Sequence, residues 1–320
     1  MLAEKVNERY SHIRIPGIVA TEKGTLIRYC ECRRSYSDWA DIDLKVSRSI
    51  DGGESWTDVL LIESCGNTLN NPVAFVCQDS IQLLYCKNYK EIYRKVSFDD
   101  GKTFGESRRV NFESSVDFFY NAVAVGPGHG IFHKGRMIVP IWFAHSKIDE
   151  KAHWPSKAGT LYSDDGGESW SVGEMIYPDG IVCASECALA VTADDKVIIS
   201  MRHTSPIRTR ILAISEDGAS NWEMPIHAHT LPDPICMGSM THRDGRIYHI
   251  NCASKTDRVN LTVKISDDCF KTTRDILVSE RGGYSDIALL GDEICVFYEK
   301  TNESGAFELY FEKIHIFGEE

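Results

Sequence analysis

The sequence predicts an all-β chain, specifically a six-bladed β-propeller, on two observations. Helical periodicity is almost absent: short runs of about four to seven residues rich in Val, Ile, Tyr, Phe and Leu recur along the chain, separated by Gly, Asp, Asn and Ser clusters. One turn sequence also repeats. Ser49-Ile50-Asp51-Gly52-Gly53-Glu54-Ser55-Trp56 is matched by Ser163-Asp164-Asp165-Gly166-Gly167-Glu168-Ser169-Trp170, more loosely by 97–104 and 215–222, and by a decayed copy at 266–272. The intervals between Asp51, Asp99, Asp165, Asp217 and Asp268 are 48, 66, 52 and 51 residues. A period near 50 with several short strands per repeat is that of a propeller blade, and 320 residues hold six of them.

The elements follow in order. In each repeated turn the Asp is placed to accept backbone N–H groups across a hairpin, Gly supplies positive φ, and the terminal Trp or Phe packs into the blade. These aspartates are therefore read as architecture. The long second interval places an inserted loop at Ala144 to Gly159, and the strand pattern from Ala306 to Ile316 is expected to pair with the N-terminal chain and protect both edges. No Gly/Ser-rich linker or composition shift divides the chain, so residues 1–320 are expected to form one domain.

Composition limits the partners. A formal net charge of −12 argues against nucleic acid or an anionic membrane surface, while leaving room for a small anion held by a local arginine cluster. No apolar run approaches the roughly twenty residues that span a bilayer. Met1 to Arg9 carries no apolar signal segment, and the eleven cysteines are odd in number and scattered through apolar runs. Together these lead us to expect reduced thiols and a cytoplasmic location. Cys30/Cys32 and Cys183/Cys187 lack matching ligands at zinc spacing, and His227/His229 alternate along a strand, so neither a metal nor an organic cofactor is expected.

The chemistry-bearing residues begin in Ile13 to Trp56. Arg14-Ile15-Pro16, Asp38 twenty-four residues later and the repeated turn resemble the exo-α-sialidase (neuraminidase) family, the bacterial and animal type with a six-bladed propeller. The resemblance runs from Ile13 to about Ile316. It includes Asn71-Pro72 and Gly126-Pro127-Gly128-His129-Gly130-Ile131. It implies a clamp of three arginines on the sugar carboxylate: Arg14, Arg202 in Ile199-Ser200-Met201-Arg202, and Arg258 before Asn260-Leu261-Thr262-Val263. It also implies Glu186, sixteen residues before Arg202, as the base for a nucleophilic Tyr284 in Gly283-Tyr284-Ser285-Asp286. Glu299, after Tyr298, would hold Arg14. Asp38 would be the general acid and later the base, with Asp41 and Asp43 as rivals that alternate with apolar residues into a strand. Arg33, nineteen residues after Arg14, would be a further substrate contact, with Arg34 as the register alternative.

These residue types suit one another physically. Guanidiniums are permanently charged forks matched to a carboxylate. A carboxylate nucleophile would be repelled by an anomeric carbon that already bears a carboxylate, whereas a neutral tyrosine paired with a base would not. The implied substrate is a sialylated glycan or another ulosonic-acid glycoside. A glycosidase for a different 2-keto-3-deoxy sugar acid is an alternative reading, and a non-catalytic glycan-binding propeller is another. Two departures bear on specificity: Ala184-Ser185-Glu186-Cys187 replaces a common Asn-Glu-Ser, and the loop bearing His145, His153 and Trp154 is placed either to cover the site or to form a solvated insertion.

Overall fold

The computed structural model describes residues 2–113, 116–117, 119–145, 153–176 and 182–316, and within them every helix or strand element is a strand. The strands form six sheets arranged as propeller blades. Blade one comprises His12–Ala20, Leu26–Arg33, Ile42–Ser49 and Thr57–Ile62, each antiparallel to the next. Blade four (Cys187–Val191 to Ile226–Pro232) and blade five (Ser239–Arg243 to Arg274–Arg281) repeat the meander. Blade six consists of Ser285–Leu290, Glu293–Thr301 and Phe307–His315, and its fourth strand is the N-terminal Leu2–Glu4, as the C-terminal pattern led us to expect. The N-terminal strand therefore closes the ring by completing blade six.

Burial explains the strand compositions. The innermost strands are packed on both faces, so His12–Ala20 and Leu69–Cys77 are buried almost throughout, whereas the outermost Thr57–Ile62 is largely exposed. The apolar clusters lie between neighbouring blades, the largest joining blades two, three and four.

All five repeated turns connect the third and fourth strands of blades one to five. In the first, Ser49 Oγ donates to Asp51 Oδ1 at 2.7 Å, Asp51 accepts the Ser55 N–H at 3.0 Å, and Trp56 Nε1 donates to the Gly53 carbonyl at 3.0 Å. The decayed fifth copy keeps the Ser and Asp bonds, with Ser266 Oγ on Asp268 at 2.8 Å and Thr272 N–H on Asp268 at 3.0 Å, but has no Trp to close the turn. It lacks the glycines, however, so Cys269 and Phe270 adopt φ of 56° and 65°, a conformation normally left to Gly. Arginines tie three of these turns to the preceding blade. Arg48 donates to the Asp100 carbonyl at 2.7 Å, Arg94 to Gly166 and Gly167 carbonyls at 2.8 Å, and Arg136 to the Asp217 carbonyl at 3.1 Å.

The inserted loop is shorter than Ala144 to Gly159 at both ends, and Ala144 itself closes the strand Arg136–Ala144. Ser156–Ser163 is a strand paired with Met137–Ala144, so Ser156 to Gly159 belong to blade three and not to the loop; part of the remainder, 146–152, lies outside the described residues. Extra length lies elsewhere too, in Phe112–Glu113, which pairs in parallel with Trp170–Ser171, and in Gly128–His129, which leaves blade three to pair in parallel with the inner strand of blade two. Near the axis the ring on His129 meets buried Asp286 at 2.7 Å. Asp286 also accepts the Ile18 N–H at 2.8 Å and a bond from Ser239, which joins blades one, five and six.

Candidate active site

The bulge at Arg14-Ile15-Pro16-Gly17 aims the first arginine inward. The register of blade one slips between Arg14 and Gly17, and Ile15 is forced to φ 56°, unusual for a β-branched residue. Pro16 has no N–H to orphan in the slip. Gly17 is obligatory, since a Cβ there would lie 1.9 Å from the Tyr29 ring. Similar slips at Asn70/Val73 and Leu261/Thr262 accompany Asn71 and Asn260 at positive φ, so the same device recurs around one mouth of the ring.

That mouth holds a cavity of about 230 Å³ lined by groups from all six blades, among them Arg14, Arg33, Asp38, Glu186, Arg202, Arg258 and Tyr284. Tyr284 is 6% exposed and forms its floor. The guanidiniums of Arg14, Arg258 and Arg202 lie 5.1, 5.2 and 5.9 Å from its ring centroid, although they come from blade one, the start of a blade-five strand and the end of a blade-four strand. The Tyr284 hydroxyl donates to Glu186 Oε1 at 2.6 Å and accepts from Arg202 Nη1 at 2.6 Å, while Arg202 also pairs with Glu186. Burial pushes the Tyr284 phenol well above its ordinary range, with Glu186 adding to the rise and the three arginines opposing it. The resting tyrosine is therefore neutral, with a proton acceptor in contact.

Glu299, fully buried, accepts from Arg14 Nε at 3.0 Å and Nη2 at 3.1 Å, a bidentate pair, and from the N–H groups of Ile15 at 2.9 Å and Tyr284 at 3.3 Å. It fixes the clamp and the tyrosine together. Gly283 packs closely against it: a Cβ there would lie 3.0 Å from Glu299 Oε2, so any larger residue would press on the carboxylate.

Asp38 stands on the opposite lip with its side chain 44% exposed. Arg33 Nη1 donates to Asp38 Oδ1 at 2.7 Å, and Arg14 Nη1 is 3.8 Å away. Arg33 is in turn gripped by buried Glu31, whose other oxygen accepts the Asn71 N–H at 2.8 Å. Arg34 points away, to Asp41 at 2.9 Å and Asp43 at 3.0 Å. Asp43 is fully buried under Tyr10 and the Ser64 N–H, so the structure places Arg33 and Asp38, not Arg34, Asp41 or Asp43, at the cavity.

Desolvation works to raise the Asp38 carboxyl, but Arg33, with help from Arg14, carries it below the usual carboxylate range. A proton donor must be protonated when the bond breaks, so a lowered pKa moves the high-pH fall of kcat/KM to lower pH. Replacing Arg33 removes the main lowering partner. The paired variant Arg33→Met/Glu31→Gln, which avoids an orphaned Glu31, is expected to shift that fall to higher pH; an unmoved pH profile would exclude Asp38 as the donor.

Several cavity residues went unremarked in the sequence. Tyr36, Tyr89, Trp142 and Ser156 line it, and Trp142 Nε1 and Ser156 Oγ are buried with no partner among the described residues. His153 packs on Tyr89 at 4.8 Å, Trp142 at 5.4 Å and Trp39 at 6.0 Å, while neighbouring Trp154 is exposed. Arg210, fully buried, joins blades four and five by donating to the Ser200 and Cys236 carbonyls, both at 3.0 Å. Only Glu31 left a readable trace, a charge two residues from Arg33 on the same strand face.

The fold and the cavity define the class together: a propeller with repeated turns of this kind and an arginine-walled, tyrosine-floored cavity at one mouth. Residues 35–295 match the BNR repeat-like domain, and the chain belongs to this family. It is 25% identical to a sialidase of Bacteroides fragilis (strain YCH46), over 90% of this chain and 60% of that protein. Among solved structures it superposes on the Hadza microbial sialidase Hz136 with a TM-score of 0.82 at 22% identity, covering 97% of this chain and 66% of that one. Trypanosoma rangeli sialidase, solved with 2,3-difluorosialic acid as a covalent intermediate, gives a TM-score of 0.74 at 18% identity, over 97% of this chain and 56% of that one. At these identities the structural likenesses establish the fold. The chain thus spans less than two thirds of the length of each of these relatives.

Proposed function

We propose that this chain, as a single propeller domain, is a retaining exo-α-sialidase that releases terminal sialic acid from glycoconjugates through a covalent tyrosyl intermediate. The observation that carries the reading is the Tyr284 hydroxyl at 2.6 Å from Glu186, inside a ring of three arginines.

The sugar carboxylate binds Arg14, Arg202 and Arg258, which sets the anomeric carbon over Tyr284. Tyr284 Oη attacks that carbon as its proton passes to Glu186, and Arg202 stabilises the phenolate character that develops. Asp38 gives its proton to the departing glycosidic oxygen. In the second half, the Asp38 carboxylate removes a proton from water, which displaces the tyrosyl group from the sugar, and Glu186 returns the proton to Tyr284. Two displacements retain configuration. Binding of the anionic substrate offsets the positive field of the clamp on Asp38 and favours its protonated form when the donor is needed.

A panel of 4-methylumbelliferyl α-ketosides tests this, with NMR following the first anomer released. The expected result is hydrolysis of the N-acetylneuraminate compound with the α-anomer formed first. Cleavage of only the 5-hydroxy or eight-carbon analogue would reassign the substrate to another 2-keto-3-deoxy sugar acid, initial β-anomer would exclude the double displacement, and binding without hydrolysis would make the chain a glycan-binding propeller.

A further inference from the structure

One large side chain at the cavity has no part in the chemistry above. Tyr36 is 64% exposed, yet it lines the site and is held in place. Its ring stacks on Phe307 with centroids 6.1 Å apart and planes at 21°, and meets the edge of His12 at 5.6 Å. Phe307 itself lies under the Arg14 guanidinium at 4.5 Å. The Tyr36 carbonyl accepts from Arg33 Nη1 at 3.3 Å, the same nitrogen that donates to Asp38 at 2.7 Å. Single exposed aromatics are ordinary on protein surfaces. This one is tethered to the guanidinium that positions the proposed proton donor.

We propose that the Tyr36 ring is the platform for the first sugar of the leaving group, a pyranose with an apolar C–H face. This rests on the sialidase reading. Asp38 must reach the glycosidic oxygen, so the sugar on the far side of that oxygen lies outward of Asp38, on the lip that Asp38 and the exposed Tyr36 line together. A pyranose carries most of its hydroxyls at its rim and presents C–H groups from one face, and burying that face against a fixed aromatic ring removes apolar surface from water at little ordering cost. Because Arg33 holds both Tyr36 and Asp38, the platform also sets the distance between the leaving sugar and the proton it receives. Trp154, equally exposed on the lip formed by blade three, adjoins His153 and its packing against Trp39, Tyr89 and Trp142.

The test compares kcat/KM for 3′-sialyllactose with kcat/KM for the methyl α-ketoside of N-acetylneuraminate, in the wild type, Tyr36→Ala, Tyr36→Phe and Trp154→Ala. For Tyr36→Ala the ratio of the two is expected to fall about tenfold, mostly through KM of the trisaccharide, which is what loss of one stacked ring contributes. Tyr36→Phe keeps the ratio, since the ring face and not the hydroxyl is used. An equal fall on both substrates would show that Tyr36 only positions Asp38 and would overturn the platform, as would a selective fall in Trp154→Ala with none in Tyr36→Ala. A wild type that hydrolyses neither substrate would sink the sialidase reading itself and the platform with it.

Discussion

Tyr284→Phe is expected to lower kcat on an aryl sialoside by at least about 10³-fold, the scale on which removal of a covalent nucleophile acts, while dissociation constants for sialic acid change little. The substitution deletes one oxygen from a residue that is 6% exposed, so packing is preserved. The three guanidiniums sit over the ring, which remains. Two bonds are lost, those from the hydroxyl to Glu186 and from Arg202 to the hydroxyl, both 2.6 Å. Because Arg202 also pairs with Glu186, neither group is orphaned by the change. Rate measurement with isothermal titration separates the outcomes. Unchanged turnover would remove Tyr284 as nucleophile, and a matching loss of binding would make the hydroxyl part of the clamp instead.

The parts of this molecule that were legible in the sequence are those set by short-range chemistry. The repeated Ser, Asp and Gly turn is a self-contained hydrogen-bonded unit, so even the decayed copy at Ser266 to Thr272 could be placed without knowing what surrounds it. The three arginines that meet at Tyr284 were legible as a group because each lies in a distinctive local segment, and for Arg14 the reason is physical: Pro16 tolerates the bulge and Gly17 makes room for Tyr29. Contacts made across the ring were not legible. Nothing near Tyr36 in sequence indicates Phe307, and nothing near Trp142 and Ser156 indicates that they share a cavity wall with Tyr89. The extent of the inserted loop was overread for a similar reason, since pairing with Ile141 to Ala144, and not local composition, makes Ser156 to Gly159 a strand.

Glu299→Gln is expected to be the most damaging substitution away from the reacting atoms, costing roughly 3–5 kcal/mol of stability, the range for removing one partner of a buried ion pair. The wild-type carboxylate is fully buried and takes four donors: Nε and Nη2 of Arg14 and the N–H groups of Ile15 and Tyr284. A glutamine offers one acceptor oxygen where two are used and turns its NH2 toward groups that are themselves donors. It also leaves the Arg14 guanidinium, 8% exposed, without its main counter-charge. Ile15 at φ 56° is held partly by its bond to Glu299, so losing that bond also loosens the bulge that aims Arg14. Activity should fall with stability. Losing one ordered, charge-assisted clamp arm at about 1.5–3 kcal/mol corresponds to a loss in kcat/KM of roughly ten- to 10²-fold, carried by KM. The double variant Arg14→Met/Glu299→Gln separates the two effects, because it removes the uncompensated buried charge together with its partner. Thermal unfolding of the double variant should recover most of the stability lost in Glu299→Gln, while kcat/KM stays low or falls further. Recovery of both would mean that Arg14 is a structural cation and not an arm of the clamp.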